Sequence, residues 1–470
     1  MDRPKSLIMD DFVYREGVLH AESCSLPELA AREGTPLYVY SRATLLGHVQ
    51  RLREAFAELE PLICFSVKCC STLGIVRTLA DFGVGMDLVS GGELHRVLLA
   101  GVDPARCVQA GVGKTDGEIE AALRAGVGLL NIESEEEFDN VARIAGRIGI
   151  RADAALRINP DVDPKTHRYT TTGTRETKFG VDLDRAREFF LTRGRDERCR
   201  LTGVHVHIGS PVDAPESYCE AIRLALGLID ELAAQGIAIE TLDLGGGFGA
   251  DYETGQAPDA RAYAAAIVPL LRDRVRGSAA HPPLRVILEP GRTIAANAGV
   301  LLVRVLYTKR SGNRVFAICD GGMNVLLRPS HYGAWHFIWP VAPGPEMVPP
   351  RRARDLHMSG LVETDVVGPI CESGDFLGTD RRLPPLKRGD LLAVFGAGAY
   401  GMSMANRYNS MPLPAEVLVS GDASLVIRRR ESFDDLTAHE RAGLDEVSAH
   451  APGAEAGAAS CAPGAGGFAS

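Results

Sequence analysis

The sequence predicts an α/β chain, a (β/α)8 barrel followed by a mostly β domain. Three observations carry this expectation. Eight short β-rich runs alternate with amphipathic helical stretches through the first part of the chain. Polar residues of functional type recur at the same end of those runs. After about residue 295 the helical periods fade, and apolar runs come with Gly/Pro turns instead.

The eight strands are read at Ile63–Val67, Val84–Val89, Cys107–Ala110, Gly128–Ile132, Ala154–Ile158, Leu201–His207, Thr241–Leu244 and Val286–Glu289. A helix from Ser41 to about Leu59 precedes the first. Ser134 with Glu137 reads as a capping box, with Phe138, Val141, Ala145 and Ile148 on one face and Gly149 as the stop. Asp213 and Pro215 open another helix, carrying Tyr218, Ile222, Ala225, Ile229 and Leu232, with Gly236 at its end. A doubly wound open sheet has the same alternation; the placing of the polar residues favours the barrel. In the second part the β runs are Val300–Tyr307, Val315–Cys319, Leu391–Phe395, Glu416–Val419 and Leu425–Arg428, and the early segments Phe12–Tyr14, Val18–His20 and Leu37–Val39 could join them. The expected division is 1–41, N-terminal strands joining the β domain; 42–292, the barrel; 293–430, the β-rich domain; and 431–470, a tail, Ala/Gly/Pro-rich from about Gly443 and expected to be disordered.

Composition excludes several classes. The chain has 470 residues, 45% hydrophobic and 24% charged, which suits a large soluble core. The net charge of -10 and the lack of a basic-aromatic stripe argue against nucleic acid. No run is long and apolar enough for a membrane span, and Met1 to Met9 carries no secretory apolar stretch. The ten cysteines are scattered without a Cys-x-x-Cys, as expected of reduced thiols in a cytoplasmic protein. Cys64, Cys69 and Cys70 match no known metal-ligand spacing, and no metal is expected.

In such barrels the active-site groups stand at the C-terminal strand ends. Lys68 follows the first strand, Asp87 lies near the end of the second, Arg157 of the fifth and His207 of the sixth. Gly245, Gly246 and Gly247 follow the seventh; Glu289 ends the eighth, before Pro290, Gly291 and Arg292. Loops after strands seven and eight often bind phosphate, and glycines let backbone N–H groups approach its oxygens. A tight strand–helix turn would need the same glycines; Arg292 in the companion loop favours phosphate. Lys68 leaves an apolar strand into the mouth, where desolvation is expected to depress its pKa and make it a better nucleophile. Glu289 can pair with a protonated ring nitrogen, and His207 can offer an imidazole face. His205 shares the strand face of His207, but a His205/His207 metal site lacks an evident third ligand. Gly113-Lys114-Thr115 is not a P-loop, because Val108 stands where its first glycine belongs. The spacing at Gly245–Gly249 fits no dinucleotide fingerprint.

The segments Ser90-Gly-Gly-Glu-Leu94, Lys178-Phe-Gly180, His207-Ile-Gly-Ser210, Leu244-Gly-Gly-Gly247, Glu289-Pro-Gly-Arg292, Gly368-Pro-Ile-Cys-Glu-Ser-Gly-Asp375 and Gly398-Ala-Tyr-Gly401 together resemble those of the diaminopimelate decarboxylases, in the family's order over roughly residues 12 to 430. The resemblance implies a barrel of the alanine-racemase-like type that binds pyridoxal 5'-phosphate, and decarboxylation of meso-2,6-diaminopimelate to L-lysine and CO2. It implies that Lys68 holds the cofactor as a Schiff base, that His207 stacks on its ring and that Glu289 pairs with its nitrogen. Asp87, Arg157, Ser210, Gly245, Gly246, Gly247, Gly291, Arg292 and Tyr400 would line the rest of the cofactor site. Cys371 would return the proton to carbon, delivered by the partner subunit of a homodimer. Arg292, Arg328, Tyr332, Glu372 and Tyr400 would meet the amino-acid substrate.

The chemistry agrees with that set. A substrate with a second amino-acid centre needs a cation for its far carboxylate and an anion for its far ammonium, which Arg328 and Glu372 supply. A decarboxylase for ornithine needs only the anion. Arginine and carboxynorspermidine decarboxylases, racemases on the same barrel, and a non-catalytic regulatory homologue are the competing readings. Retention of Lys68, Glu289 and Cys371 weighs against the last. The chain departs from the family at Cys69-Cys70, where Ala-Asn is usual, at Ser330-His331, where Ala-Leu is usual, and at Met411 and Leu413, where arginines are usual.

Overall fold

A computed structural model describes residues 10–162, 178–252, 258–278, 281–441, 443–444 and 447. Residues 1–9, read above for a secretory segment, and most of the Ala/Gly/Pro-rich stretch lie outside the described residues.

Eight parallel strands close into the expected barrel. They are β1 (Leu62–Ser66), β2 (Gly85–Leu88), β3 (Cys107–Gln109), β4 (Leu129–Ile132), β5 (Ala152–Asn159), β6 (Cys199–Val206), β7 (Thr241–Asp243) and β8 (Arg285–Leu288). Each pairs with the next, β8 pairs with β1, and β4 pairs with β5. The last pairing distinguishes a closed barrel from an open doubly wound sheet, whose edge strands have one neighbour only. A short strand, Val181–Asp182, adds to the outer end of β5.

The strand ends differ from the sequence reading where the mouth begins. Val67 does not extend β1; it opens a 3-10 turn, Val67–Cys69, that carries Lys68. His207 and Glu289 each stand one residue past their strands. Val67 and Glu289 are as buried as the strands they follow, so apolar periodicity cannot mark where strand pairing stops.

Local signals explain the helices. Ser41 accepts a hydrogen bond from Thr44 N at 3.0 Å and caps the helix Arg42–Ala55. Ser134 caps Glu135–Ile148, and Gly149 ends it at φ 69°. The other half of the expected box is not made: Glu137 accepts instead from Glu133 N at 2.9 Å and from Lys114 Nζ at 2.5 Å. That pair also accounts for Lys114, the lysine of the apparent P-loop, while Thr115 caps Asp116–Ala125. Pro215 opens Pro215–Ala234 without a side-chain cap from Asp213.

The second sheet is built on a long strand, Gly299–Ser311, which pairs with Arg314–Cys319, Leu391–Val394 and the early strand Leu37–Ser41. Leu37–Ser41 also pairs in parallel with Ala415–Ser420, which pairs with Ala423–Arg428. Two strands that the sequence did not suggest, Val362–Val367 and Phe376–Leu383, extend the sheet beyond Arg314–Cys319. Charged and polar residues interrupt their apolar runs and hide them. Phe12–Arg15 and Val18–Ala21 do not join this sheet; with Cys24–Ser25 they form a small one of their own. It is docked by Leu19 N on Val341 O and by Tyr14 OH on Pro340 O. The segment read as tail begins with a short capped helix, Phe433–Thr437. A continuous apolar core runs through barrel and sheet, from Phe65 and Leu288 to Val300 and Val394.

Candidate active site

The mouth of the barrel gathers most of the expected groups. Lys68 Nζ donates to Asp87 Oδ2 at 2.8 Å, and Ser66 Oγ lies 2.6 Å from the same oxygen and 3.0 Å from the Glu289 carbonyl. Gly246 N donates to His207 Nδ1 at 3.1 Å, and Glu289 N donates to Gly245 O at 2.8 Å. The triple glycine is thus sewn between His207 and Glu289. A Cβ on Gly246 would lie 2.4 Å from the Glu289 carbonyl oxygen, and Gly247 sits at φ 97°. Only glycine allows this turn to pass so near both neighbours.

The electrostatics separate three roles. Burial disfavours charge on Lys68, but Asp87 and Glu289 outweigh it and hold the ammonium above the usual lysine range. The expectation of a depressed lysine is therefore corrected: an apolar strand precedes it, but two buried carboxylates face it. Burial, with Arg157 and Lys68 nearby, pushes His207 well below the usual imidazole value, so the ring is neutral. Its Nδ1 accepts from Gly246, which leaves the proton on Nε2. Burial works against charge on Glu289 too, yet His205 and Lys68 keep it below the usual carboxylate range.

The site also holds a pair of buried cations. Arg292 Nη1 donates to Tyr252 OH at 3.1 Å, its Nε lies 3.4 Å from Ser210 Oγ, and its guanidinium stands 4.9 Å from the Tyr400 ring centre. Arg328 lies 4.6 Å from the Tyr252 ring centre and donates to His336 Nε2 at 2.8 Å; His336 Nδ1 in turn donates to Phe395 O. Both arginines are 7% exposed, and neither has a carboxylate partner among the described residues. Burial and the neighbouring Arg292 lower the pKa of Arg328. Two unneutralised guanidiniums on either side of one phenol ring form a site for anions. Tyr400, at φ 55°, is fixed by its N–H on Cys69 O at 2.7 Å. Gly291 packs against the turn that carries Lys68, where a Cβ would meet Ser66 and Cys69.

Other expected residues are placed differently. Arg157 reaches the mouth, but its guanidinium is committed to Glu133 at 3.2 Å, to the His207 carbonyl and to the Phe179 ring. Cys371 and Glu372 are exposed on the β-rich domain, and no hydrogen bond or ion pair joins them to the barrel mouth among the described residues. Cys371 N donates to Asn409 Oδ1, and Glu372 is hydrogen-bonded to the Tyr408 hydroxyl rather than paired with Arg328. Tyr332 follows Arg328 on the short helix Arg328–Tyr332 and stacks edgewise on His331. A cluster of three potential ligands does exist among the described residues, but it joins His205 to Asp243 and Glu289, and not to His207.

Ser66, Tyr252, His336 and Asn131 were missed by sequence reasoning. Ser66 had one available signal, since it lies two residues before Lys68 at a strand end. Tyr252 lies in the long segment after β7, with no local pattern to single it out.

The family described as the pyridoxal-binding domain of pyridoxal-dependent decarboxylases matches residues 42–296. The diaminopimelate decarboxylase of Pseudomonas aeruginosa is 45% identical over 432 residues, 92% of this chain and 99% of that one. The chain belongs to the diaminopimelate decarboxylase family. The family's enzyme from Vibrio cholerae is 44% identical over 92% of this chain and 99% of its own. Among solved structures, the diaminopimelate decarboxylase of Helicobacter pylori complexed with L-lysine superposes with a TM-score of 0.81 at 39% identity, covering 89% of this chain and 99% of that one. That of M. jannaschii, also with L-lysine, gives 0.83 at 34%, covering 92% and 98%.

The mouth fits the cofactor of this family. A basic amine on a turn, a neutral imidazole, a buried ionised carboxylate, and a buried arginine together with a glycine turn match in turn an aldehyde, a ring face, a ring nitrogen and a phosphate. Among the described residues, no helix is long and apolar enough to cross a membrane.

Proposed function

We propose that this chain removes one carboxyl group of meso-2,6-diaminopimelate as CO2 and returns a proton to the same carbon, giving L-lysine. The observation that carries the reading is the Arg292/Arg328 pair about Tyr252. One buried guanidinium answers the cofactor phosphate. A second needs a second anion, and a far-end carboxylate on the substrate supplies it. A substrate ending in a bare amine would leave Arg328 buried and unanswered, at a cost of several kcal/mol by order of magnitude.

Lys68 holds the cofactor, which when bound supplies an electron sink for the carbanion left by CO2. Asp87 and Ser66 orient the Lys68 amine. His207 covers one ring face, and its neutrality avoids repelling a protonated ring. Glu289 holds the ring nitrogen's proton. Ser210, Gly245 to Gly247, Gly291 and Arg292 take the phosphate, and Tyr400 braces Arg292. Arg157 acts through His207, whose carbonyl it holds.

Cys371 is the proton donor and Glu372 answers the far ammonium, and Tyr332 meets the substrate from the helix that carries Arg328. Both acidic groups are exposed and separate from the mouth of their own chain, which supports a homodimer in which each subunit completes the other's site. A general acid must come within hydrogen-bond reach of the carbon it protonates.

The test is an absorbance spectrum of the purified protein before and after meso-diaminopimelate, with released CO2 trapped. A visible cofactor band that is lost in Lys68→Ala, together with CO2 and lysine, is the expected result. A band without CO2 would move the substrate to ornithine, arginine or carboxynorspermidine. The absence of any band after cofactor is supplied would overturn the reading.

A further inference from the structure

Beneath Glu289 the barrel interior carries polar side chains that the reading above does not use. Asn131 lies in β4, His205 in β6 and Asp243 at the end of β7, all at most 1% exposed. Barrels usually fill this layer with branched apolar side chains. The β6–β7 register sets His205 directly beside Asp243. Asn131 Nδ2 lies 3.3 Å from Glu289 Oε1 and 3.3 Å from Asp243 Oδ2, and His205 Nε2 lies 3.5 Å from Glu289 Oε2. Gly245 N donates to the other Asp243 oxygen at 2.9 Å.

Two carboxyl groups this near in a dry interior cannot both be ionised. Burial, then Glu289, pushes the Asp243 acid well up, whereas Glu289 is held down as described above. The shared proton therefore resides on Asp243. The same three residues could in principle ligate a cation, since their ligand atoms lie within 4.8 Å of one another. The Asn131 amide nitrogen between the two carboxyls argues otherwise, because a cation there would face an N–H donor.

We propose that Asn131, His205 and Asp243 are positioning residues: Asn131 donates to the Glu289 carboxyl, His205 and Asp243 flank it, and together they keep Glu289 ionised and fix its orientation toward the cofactor's ring nitrogen. The proposal rests on the assignment of Glu289 to that nitrogen. Without these neighbours, the Glu289 carboxyl takes a proton for itself and the ring nitrogen loses its partner. The strength of the electron sink then falls while the substrate pocket, built on Arg292 and Arg328, is untouched.

The test uses full-length protein loaded with pyridoxal phosphate carrying 15N in the ring, with the 15N chemical shift reporting protonation. Wild type and His205→Gln, which keeps an N–H donor, should show a protonated nitrogen. His205→Leu should lose much of that protonation, with kcat down on the order of tenfold, as for other groups that act through a reacting neighbour, and KM nearly unchanged. Asn131→Ala repeats the test should His205→Leu fail to fold. A fully protonated nitrogen in both Leu and Ala variants overturns the proposal alone. An unprotonated nitrogen in the wild type overturns the Glu289 assignment and the proposal with it.

Discussion

Lys68 Nζ and Asp87 Oδ2 form a 2.8 Å ion pair at the floor of the mouth, and the Asp87 carboxylate is fully buried. Without cofactor the amine is thus stored as ammonium, which is not a nucleophile. Cofactor uptake by the apoenzyme should speed up as pH rises from about 7 to about 9, following the neutral fraction of a group titrating above its ordinary value of about 10.4. Asp87→Asn removes the larger of the two charges raising Lys68, so uptake should become faster and less pH-dependent. Stopped-flow absorbance measures both; a flat profile in the wild type would refute the argument. The sign for stability follows. With the folded pKa above the unfolded one, the pair stabilises the fold below about pH 10 and loses that contribution as pH climbs through the folded value.

Tyr252 joins the two arginines through different parts of its ring. Tyr252→Phe keeps the face that Arg328 lies on and removes the hydroxyl that accepts from Arg292. Cofactor affinity should fall about tenfold, the worth of a hydrogen bond to a charged group, with substrate KM changed far less. Equilibrium titration of apoenzyme separates the two, and an unchanged cofactor Kd would disprove the link.

Much of this site was legible in the chain. Glu289, His207, Asp87 and Lys68 stand at strand ends, and βα alternation alone brings such ends together. Arg292 followed from its place in the loop after the last strand, the companion of the glycine loop. What could not be read is pairing between distant segments: Tyr252 with Arg328, 76 positions apart by subtraction of their numbers, or Glu133 with Arg157. Asp243 was hidden by its position before three glycines, where the turn drew all the attention. The strands Val362–Val367 and Phe376–Leu383 escaped because polar residues, among them the buried Thr364 and Asp365, break any apolar alternation.

Subunit mixing tests the shared site. Lys68→Ala and Cys371→Ala should each be inactive as homodimers. Refolded together at equal amounts, half the dimers are mixed and each carries one intact site, so about a quarter of wild-type activity should return. No recovery, with mixed dimers shown to form, would place Cys371 in its own chain's site or remove it from the chemistry.

Gly246→Ala should be costly out of proportion to one methyl group. The new Cβ meets the Glu289 carbonyl oxygen at 2.4 Å, so the turn must shift. Overpacking of this kind costs about 1–3 kcal/mol. Lower stability in urea and weaker cofactor retention should appear together; full stability and retention would contradict the contact.

The hydrogen bond from Tyr400 to the Cys69 carbonyl ties the loop before the last sheet strands to the turn bearing the reactive lysine. The barrel's sequence is complete by about residue 292 and already ties the Lys68 turn through Asp87 and Ser66, but one backbone tether of that turn comes from more than a hundred residues further along the chain. The two folding units are thus stitched together at the turn that carries Lys68.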